Sequence, residues 1–167
     1  MKKTLKVALY ILLALVLIVL AYVIYVFAAY YRVEDWQTLS VVHCDAASAA
    51  PMAGAPQTGV TYRVSSANVG FGAYSDDYSF FMDGGTESWA WSEDRLKANL
   101  AEISNVLLNE AADIYFLQEV DFDSTRTYHV DERPYLYQAQ PDFCKLHAVN
   151  YDSPFLLYPL TQPHGAS

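Results

Sequence analysis

Glu119 is the residue whose type and setting most readily do chemistry. It follows an almost wholly apolar run, Ala112-Asp-Ile-Tyr-Phe-Leu-Gln118, and strongly hydrophobic strands seldom end in a polar pair without a use for it. In open α/β sheets ligands gather at strand carboxyl ends. A carboxylate there suits Mg²⁺, which takes oxygen ligands and is commonly held by one or two carboxylates plus substrate phosphate. Asn68 closes an earlier predicted strand and can bring a side-chain amide to the same edge. Taken singly, Glu119 reads as a solvated strand-end acid and Asn68 as a turn residue. Their chemistry depends on being brought together.

The remaining candidates are weaker. Asp121 and Asp123 extend an acidic cluster that could hold a second cation, although Asp123 serves equally as a helix cap. Arg126 and Tyr128, read as exposed residues of a following helix, are candidates for contacting a phosphate near Glu119. Asp76, Asp77 and Asp83 lack EF-hand spacing, and Gly70-Phe-Gly72 lacks the third glycine and the helix of a dinucleotide fingerprint. His43, His129 and His147 share no metal-ligand spacing, and His164 reads as a loop residue rather than a base. Trp89 and Trp91 read as packing residues, with lipid contact as a second use. The two cysteines, Cys44 and Cys144, form no zinc pattern. A bridge between them would close a loop of about 100 residues, worth up to roughly 4.7 kcal/mol. Cys44 borders a linker-like stretch, which favours two unpaired cysteines.

The elements that must position these residues follow from periodicity. Residues 60–69 (VTYRVSSANV) alternate β-branched and polar residues and predict a strand. Gly70 to Ser88 has neither period and predicts a long loop, whose aromatic content favours function or packing over disorder. Ser92, followed by Glu93 and Asp94, starts a helix with acids in its first turn. Leu96, Leu100, Ile103, Leu107 and Leu108 then give an amphipathic stripe through Glu110. The apolar run 112–120 predicts a strand buried on both faces, which needs a sheet covered by helices. Strand, helix, strand opens an α/β domain. A second helix is expected from Asp123 or Ser124 to about Glu132, with Pro134 breaking it or starting a further turn. Residues 145–152 predict another strand. Three prolines keep 153–163 extended or looped.

Ahead of this domain lie 25 uncharged residues, Val7 to Tyr31, about 37 Å of helix against a hydrocarbon core of about 30 Å. A signal-peptide core is usually only about 7–15 residues, so an uncleaved single-pass anchor is the expectation. Lys2, Lys3 and Lys6 before the span and Glu34-Asp35 after it favour a cytoplasmic N-terminus and an extracytoplasmic domain. The resulting layout is a basic tip (1–6), a transmembrane helix (7–31), a lead-in and Ala/Pro/Gly linker (32–59, with a short strand at Leu39–Val42) and a domain (60–167). All 19 acids follow the span with only seven Lys and Arg, leaving −12 on that side. Such a balance excludes tight, metal-free nucleic-acid binding, which needs basic residues to neutralise phosphates. Aromatics at 15% exclude a disordered chain.

The Ser-Ala-Asn68-Val-Gly stretch, the amphipathic helix and then Asp113-Ile-Tyr-Phe-Leu-Gln118-Glu119-Val120-Asp121 resemble the endonuclease/exonuclease/phosphatase superfamily, which has the deoxyribonuclease I-like fold. The resemblance runs from about Thr61 to the end and is most specific in LQEVD at 117–121. FGAYSDDYSFFMDGG (71–85) and DSTRTYHVDE (123–132) are similar to a membrane-anchored bacterial subgroup. It implies α/β architecture, the first half of a four-layer α/β/β/α sandwich, and hydrolysis of phosphoesters with Mg²⁺ (or Mn²⁺) as cofactor. It assigns metal ligation to Glu119, with Asn68 holding the metal and phosphate environment. The substrate is a small phosphodiester, a lipid head group or a nucleic acid, and the acidic domain beside a membrane favours the first two over long DNA. The superfamily's later Asp-x-Asn and Asp-His pairs do not occur here: Asp152-Ser-Pro lacks the asparagine, and His164-Gly165 is not Asp-His. The chain is therefore expected to be a truncated form with about half an active site, inactive as it stands. A non-catalytic extracytoplasmic binding module, or a decayed gene product, is the alternative.

Overall fold

The computed structural model describes residues 2–42 and 56–167. The first element, α1 (Lys2–Ala29), is long and apolar enough to cross a membrane, and none of its residues is buried. It takes in the basic tip as its first turn and ends two residues short of Tyr31. Residues 43–55 of the expected lead-in and linker, with His43 and Cys44, lie outside the described residues.

A short β1 (Val41–Val42) appears in the lead-in, and β2 (Val64–Asn68) opens the domain four residues later than its sequence pattern begins. Gly70 to Ser88 is a loop holding two 3₁₀ turns, Gly70–Gly72 and Phe81–Asp83. Its aromatic residues order it. Phe71 is fully buried and makes edge contacts with Tyr74, Tyr78 and Phe80 at ring separations of 5.4–6.1 Å, a favourable arrangement for aromatic quadrupoles. Gly72 has φ +61°, and a Cβ there would lie 2.6 Å from Leu96 Cδ1. Only glycine lets this loop touch the helix that follows.

That helix is α2 (Glu93–Glu110), capped by the Ser92 hydroxyl, which accepts from the Arg95 N–H at 3.1 Å. Leu96, Leu100 and Leu107 are buried, whereas Leu108 is exposed. The chain turns at Ala111 in a left-handed conformation (φ +46°) into β3 (Ile114–Gln118). Strands β2 and β3 pair in parallel, with Val64 opposite Ile114 and Asn68 opposite Gln118. Tyr115 and Leu117 point at the core beneath α2.

Four expectations are corrected here. First, β3 is covered on one face only. Phe116 on its outer face is 56% exposed, and Val64 on the same face of β2 is 53% exposed, because no second layer lies over them among the described residues. Second, no helix runs from 123 to 132. Thr125–Thr127 form a 3₁₀ turn, and Tyr128 and His129 both take positive φ (57° and 60°), which a helix cannot accommodate. The helix instead starts at Arg133, as α3 (Arg133–Tyr137), with Pro134 in its first turn, where a missing N–H costs nothing. Third, Cys144 is disulfide-bonded, and no described cysteine is free; Cys44 is outside the described residues. Fourth, the strand expected at 145–152 shrinks to β4 (Lys145–Leu146), which pairs antiparallel with β1.

The fold is thus mixed α/β, with two separate two-stranded sheets and one helix-covered face. Both edges of the β2–β3 pair are open among the described residues, and an apolar open edge invites association. Phe116→Lys is expected to change the unfolding free energy by no more than about 0.5 kcal/mol, as for other surface substitutions, while reducing concentration-dependent association in light scattering. A loss of several kcal/mol would show that this face is covered in solution.

Candidate functional site

The parallel pairing carries the two strand ends to one point. Past the last paired residues, the Val69 N–H donates to the Gln118 carbonyl and the Phe71 N–H to the Glu119 carbonyl, both at 2.9 Å. Between these bonds Asn68 Nδ2 donates to Glu119 Oε1 at 2.8 Å, although 51 residues separate them in sequence. The amide is itself held, because its Oδ1 accepts from the Gly70 N–H at 2.8 Å. One oxygen of Glu119 is therefore oriented by a fixed donor on an otherwise exposed side chain.

Glu119 has φ +55°. The left-handed region costs a residue with a Cβ roughly 1–2 kcal/mol, and such outliers cluster where a backbone is over-determined by its surroundings. Here the Phe71 N–H, seated in the 3₁₀ turn, is what fixes the Glu119 carbonyl. Phe71 in turn is pinned in the core, so the turn that aims Glu119 is tied to the best-packed part of the domain.

Behind this pair lies a buried charge network. Arg126 stacks over the Phe71 ring, 3.8 Å from its centroid, and makes a two-pronged ion pair with Asp121 at 2.7 and 2.9 Å. Both side chains are only 12% exposed. Burial disfavours the guanidinium charge, but the Asp121 bonds and charge, with Glu119 and Glu132 nearby, hold Arg126 above its ordinary range. Glu132 is fully buried; its Oε2 accepts from the Asp121 N–H at 3.0 Å and its Oε1 has no protein partner. Burial, reinforced by the Asp121 charge, raises its carboxyl to about 8. Glu132 is therefore neutral near pH 7, and Arg126 is matched by one buried carboxylate rather than two.

The reading of Arg126 and Tyr128 as exposed helix residues is corrected by this geometry. Arg126 is committed to Asp121 and Phe71, while the Tyr128 hydroxyl donates to the Ala90 carbonyl at 2.9 Å and its ring packs edge-on against Trp89. The acidic cluster is also dispersed: Asp121 faces Arg126, and Asp123 meets His129 Nδ1 at 2.6 Å instead of capping a helix. Among the described residues no group of three His, Cys, Asp or Glu side chains converges as a metal site. Of the residues singled out from sequence, the structure brings Asn68 and Glu119 together.

Tyr74 was not anticipated. Its hydroxyl donates to Asp83 at 2.6 Å, and burial, followed by that bond and the charges of Asp83 and Glu119, raises its pKa strongly. It stays protonated beside the carboxylate. The only sequence signal was its place in the aromatic loop after Asn68. Glu132 was equally hidden, since nothing local marks a glutamate that will be buried.

Two outcomes follow. At a left-handed position the usual ranking of alanine above glycine reverses. Glu119→Gly is expected to be more stable than Glu119→Ala by about 1 kcal/mol in urea unfolding, and equal stabilities would mean the backbone relaxes. For Glu132, the folded carboxyl at about 8 lies above the ordinary value of 4.5. Its contribution to stability is full below about 4.5 and is lost as pH rises toward 8, because the unfolded chain sheds a proton that the folded chain retains. Burial lowers His147 and His164, and these act oppositely on acidification, so the comparison must be differential. The melting temperature of the native chain relative to Glu132→Gln is expected to fall between pH 5 and 8. A constant difference would show that Glu132 does not titrate there.

The chain matches no protein-family model, and comparison with curated proteins and with solved structures finds no match.

Proposed function

We propose that this chain belongs to the membrane-anchored, divalent-metal-dependent phosphoester hydrolases of the endonuclease/exonuclease/phosphatase type, with the family's four-layer sandwich as its parent architecture. The observation that supports this reading is the Asn68–Glu119 hydrogen bond at the carboxyl ends of adjacent parallel strands. A strand-end carboxylate held by an amide, with its second oxygen free for a ligand, is what a weakly chelated Mg²⁺ requires. Mg²⁺ keeps several waters and takes one or two carboxylates plus phosphate oxygens, so it needs no dedicated protein cage.

The residues present fit part of such a centre. Glu119 would hold the metal and Asn68 would orient it, while the protonated Tyr74 and the Arg126 charge lie close enough to act on Glu119 electrostatically. A metal at this position supplies polarisation of a phosphoryl oxygen and a more acidic bound water. Hydrolysis also needs a base for the attacking water and donors for the developing charge. The Asp-x-Asn and Asp-His pairs that supply them in the superfamily do not occur in these 167 residues. Metal binding through Glu119 and Asn68 is the property proposed for these residues. The anchor is α1, with the domain outside the cytoplasm by the lysine bias. The acidic surface and the nearby membrane favour a small phosphodiester or lipid head group as parent substrate.

The second reading is a binding module without catalysis, favoured by the open apolar face around Val64 and Phe116. One experiment separates the two. Mn²⁺ titration of the detergent-solubilised chain, followed by electron paramagnetic resonance, is expected to show one site. Glu119→Gln should abolish it, and Asn68→Ala should weaken it about tenfold or more, as loss of an orienting partner does elsewhere. Mn²⁺ binding that ignores both substitutions would eliminate the metal reading and leave the binding module.

A further inference from the structure

The C-terminal segment folds back along α1. Tyr30 and Tyr151 stack edge-on, the Tyr31 N–H donates to the Asp152 carbonyl at 3.1 Å, and Tyr22 lies further down the helix against Phe155 and Leu157. The Tyr22 hydroxyl donates to the Phe155 carbonyl at 3.3 Å and accepts from the Leu157 N–H at 2.9 Å. Residues 151 to 157 therefore run from the distal end of α1 toward its middle. The chain then turns at Pro159–Gln162 and returns, pairing Leu156 with Gly165 and Ser153 with Ser167 through their backbones. The result is a hairpin-like loop lying beside the apolar helix. On its other side the domain grips it: Trp89 Nε1 donates to the Pro163 carbonyl at 2.7 Å and the Thr125 N–H to the Ala166 carbonyl at 2.8 Å.

The composition of this loop is at odds with the rest of the domain. From Ser153 to Ser167 there is no Asp, Glu, Lys or Arg, in a region that otherwise carries a large negative charge. Its large side chains face outward. Tyr158 is 69% and Leu160 82% exposed, with Phe155 and Leu157 also exposed and Met82 on the adjoining turn, where Phe81 contacts the Tyr158 ring.

The level of Tyr22 relates the loop to a bilayer. From Lys6 to Tyr25 the helix rises about 28 Å, close to a hydrocarbon thickness of about 30 Å. Tyrosines prefer the boundary at headgroup level. With Tyr25 at that boundary, Tyr22 lies about 5 Å inside it, and so does the Phe155–Leu157 backbone. Partners within the protein lower the cost of placing backbone groups at that depth, where water is scarcer than outside the bilayer. Those of Leu156 are met by Gly165, and the Phe155 carbonyl and Leu157 N–H are both met by the Tyr22 hydroxyl.

We propose that the 153–167 loop is a second membrane-seated element, its tip residues Leu157, Tyr158 and Leu160 inserted in the outer interfacial layer of the bilayer that α1 crosses. The inference rests on α1 being a membrane span. The domain is then held down on the membrane at two points, so that any substrate drawn from the bilayer meets a domain of fixed orientation.

The test uses the full chain in phospholipid vesicles, with the native disulfide kept oxidised. Single cysteines at Leu160→Cys, Thr161→Cys, Leu13→Cys and Asn109→Cys carry an environment-sensitive NBD label. Thr161 guards against a local disturbance at Leu160, Leu13 reports the span, and Asn109 at the end of α2 reports water. Blue-shifted emission and quenching by lipids spin-labelled near the headgroup are expected at 160 and 161, with quenching at 13 by deeper labels and none at 109. Labels at 160 and 161 that behave like 109, while 13 is quenched, would overturn the membrane-seated loop and leave the span intact. An unquenched label at 13 would overturn the span, and the loop proposal with it.

Discussion

The parallel pairing of β2 with β3 is the interaction on which the rest of the domain depends. It joins residues about 50 apart, and a parallel pair can be made only with a crossover between its strands. α2 is that crossover, and its buried leucines seal the face of the sheet carrying Tyr115 and Leu117. The same register ends with Asn68 opposite Gln118. The next two main-chain bonds, to the Gln118 and Glu119 carbonyls, carry the pairing past the strands and into the Phe71 turn. A one-residue slip would turn Leu117 outward and separate Asn68 from Glu119. Packing and the candidate site are thus set by one choice of register.

The charge network behind the site shows how burial assigns protonation. Asp121, Glu132 and Arg126 share a space with little water, and two carboxylates against one guanidinium would leave an uncompensated buried charge. Raising Glu132 to about 8 removes that excess. The Asp121–Arg126 pair, with both partners 12% exposed, then stands as a matched pair. Removing one member of a buried pair commonly costs about 3–5 kcal/mol, because the other is left alone. Arg126 also covers Phe71, so the network braces the turn that orients Glu119 as well as balancing its own charge.

Elements decided by local sequence were legible, and those decided by tertiary partners were not. The Ser92 cap and the leucine spacing defined α2 from Glu93 to Glu110, since each cue acts within one or two turns. The apolar run identified β3, but its covering could not be read, because Phe116 and Leu117 are equally apolar and only one meets α2. The stretch 123–132 has acceptable helix formers and a candidate cap. It fails as a helix because Arg126 is drawn to Asp121 and the backbone reverses at Tyr128 and His129. The pairing of Cys144 was likewise invisible to spacing. At the site, Glu119 and Asn68 were legible as strand ends. Tyr74 and Glu132 were not: Tyr74 matters through its bond to Asp83 nine residues away, and Glu132 through burial and a partner eleven residues away.

Glu119 itself poses the sharpest conflict between stability and use. Its left-handed backbone is satisfied best by glycine, and its exposed side chain adds little to packing. Structural need accounts for the conformation, since the Phe71 N–H requires the Glu119 carbonyl at that point, but it does not account for the side chain. Glycine would make the same main-chain bond with less strain. The carboxylate then has only its bond to Asn68 as a structural return, an exposed interaction of the kind that contributes about 1 kcal/mol or less. That return roughly offsets the strain and leaves no net gain. An amide locked by Gly70 and aimed at a strained, exposed carboxylate is what the proposed ligand-holding role of Glu119 would ask for.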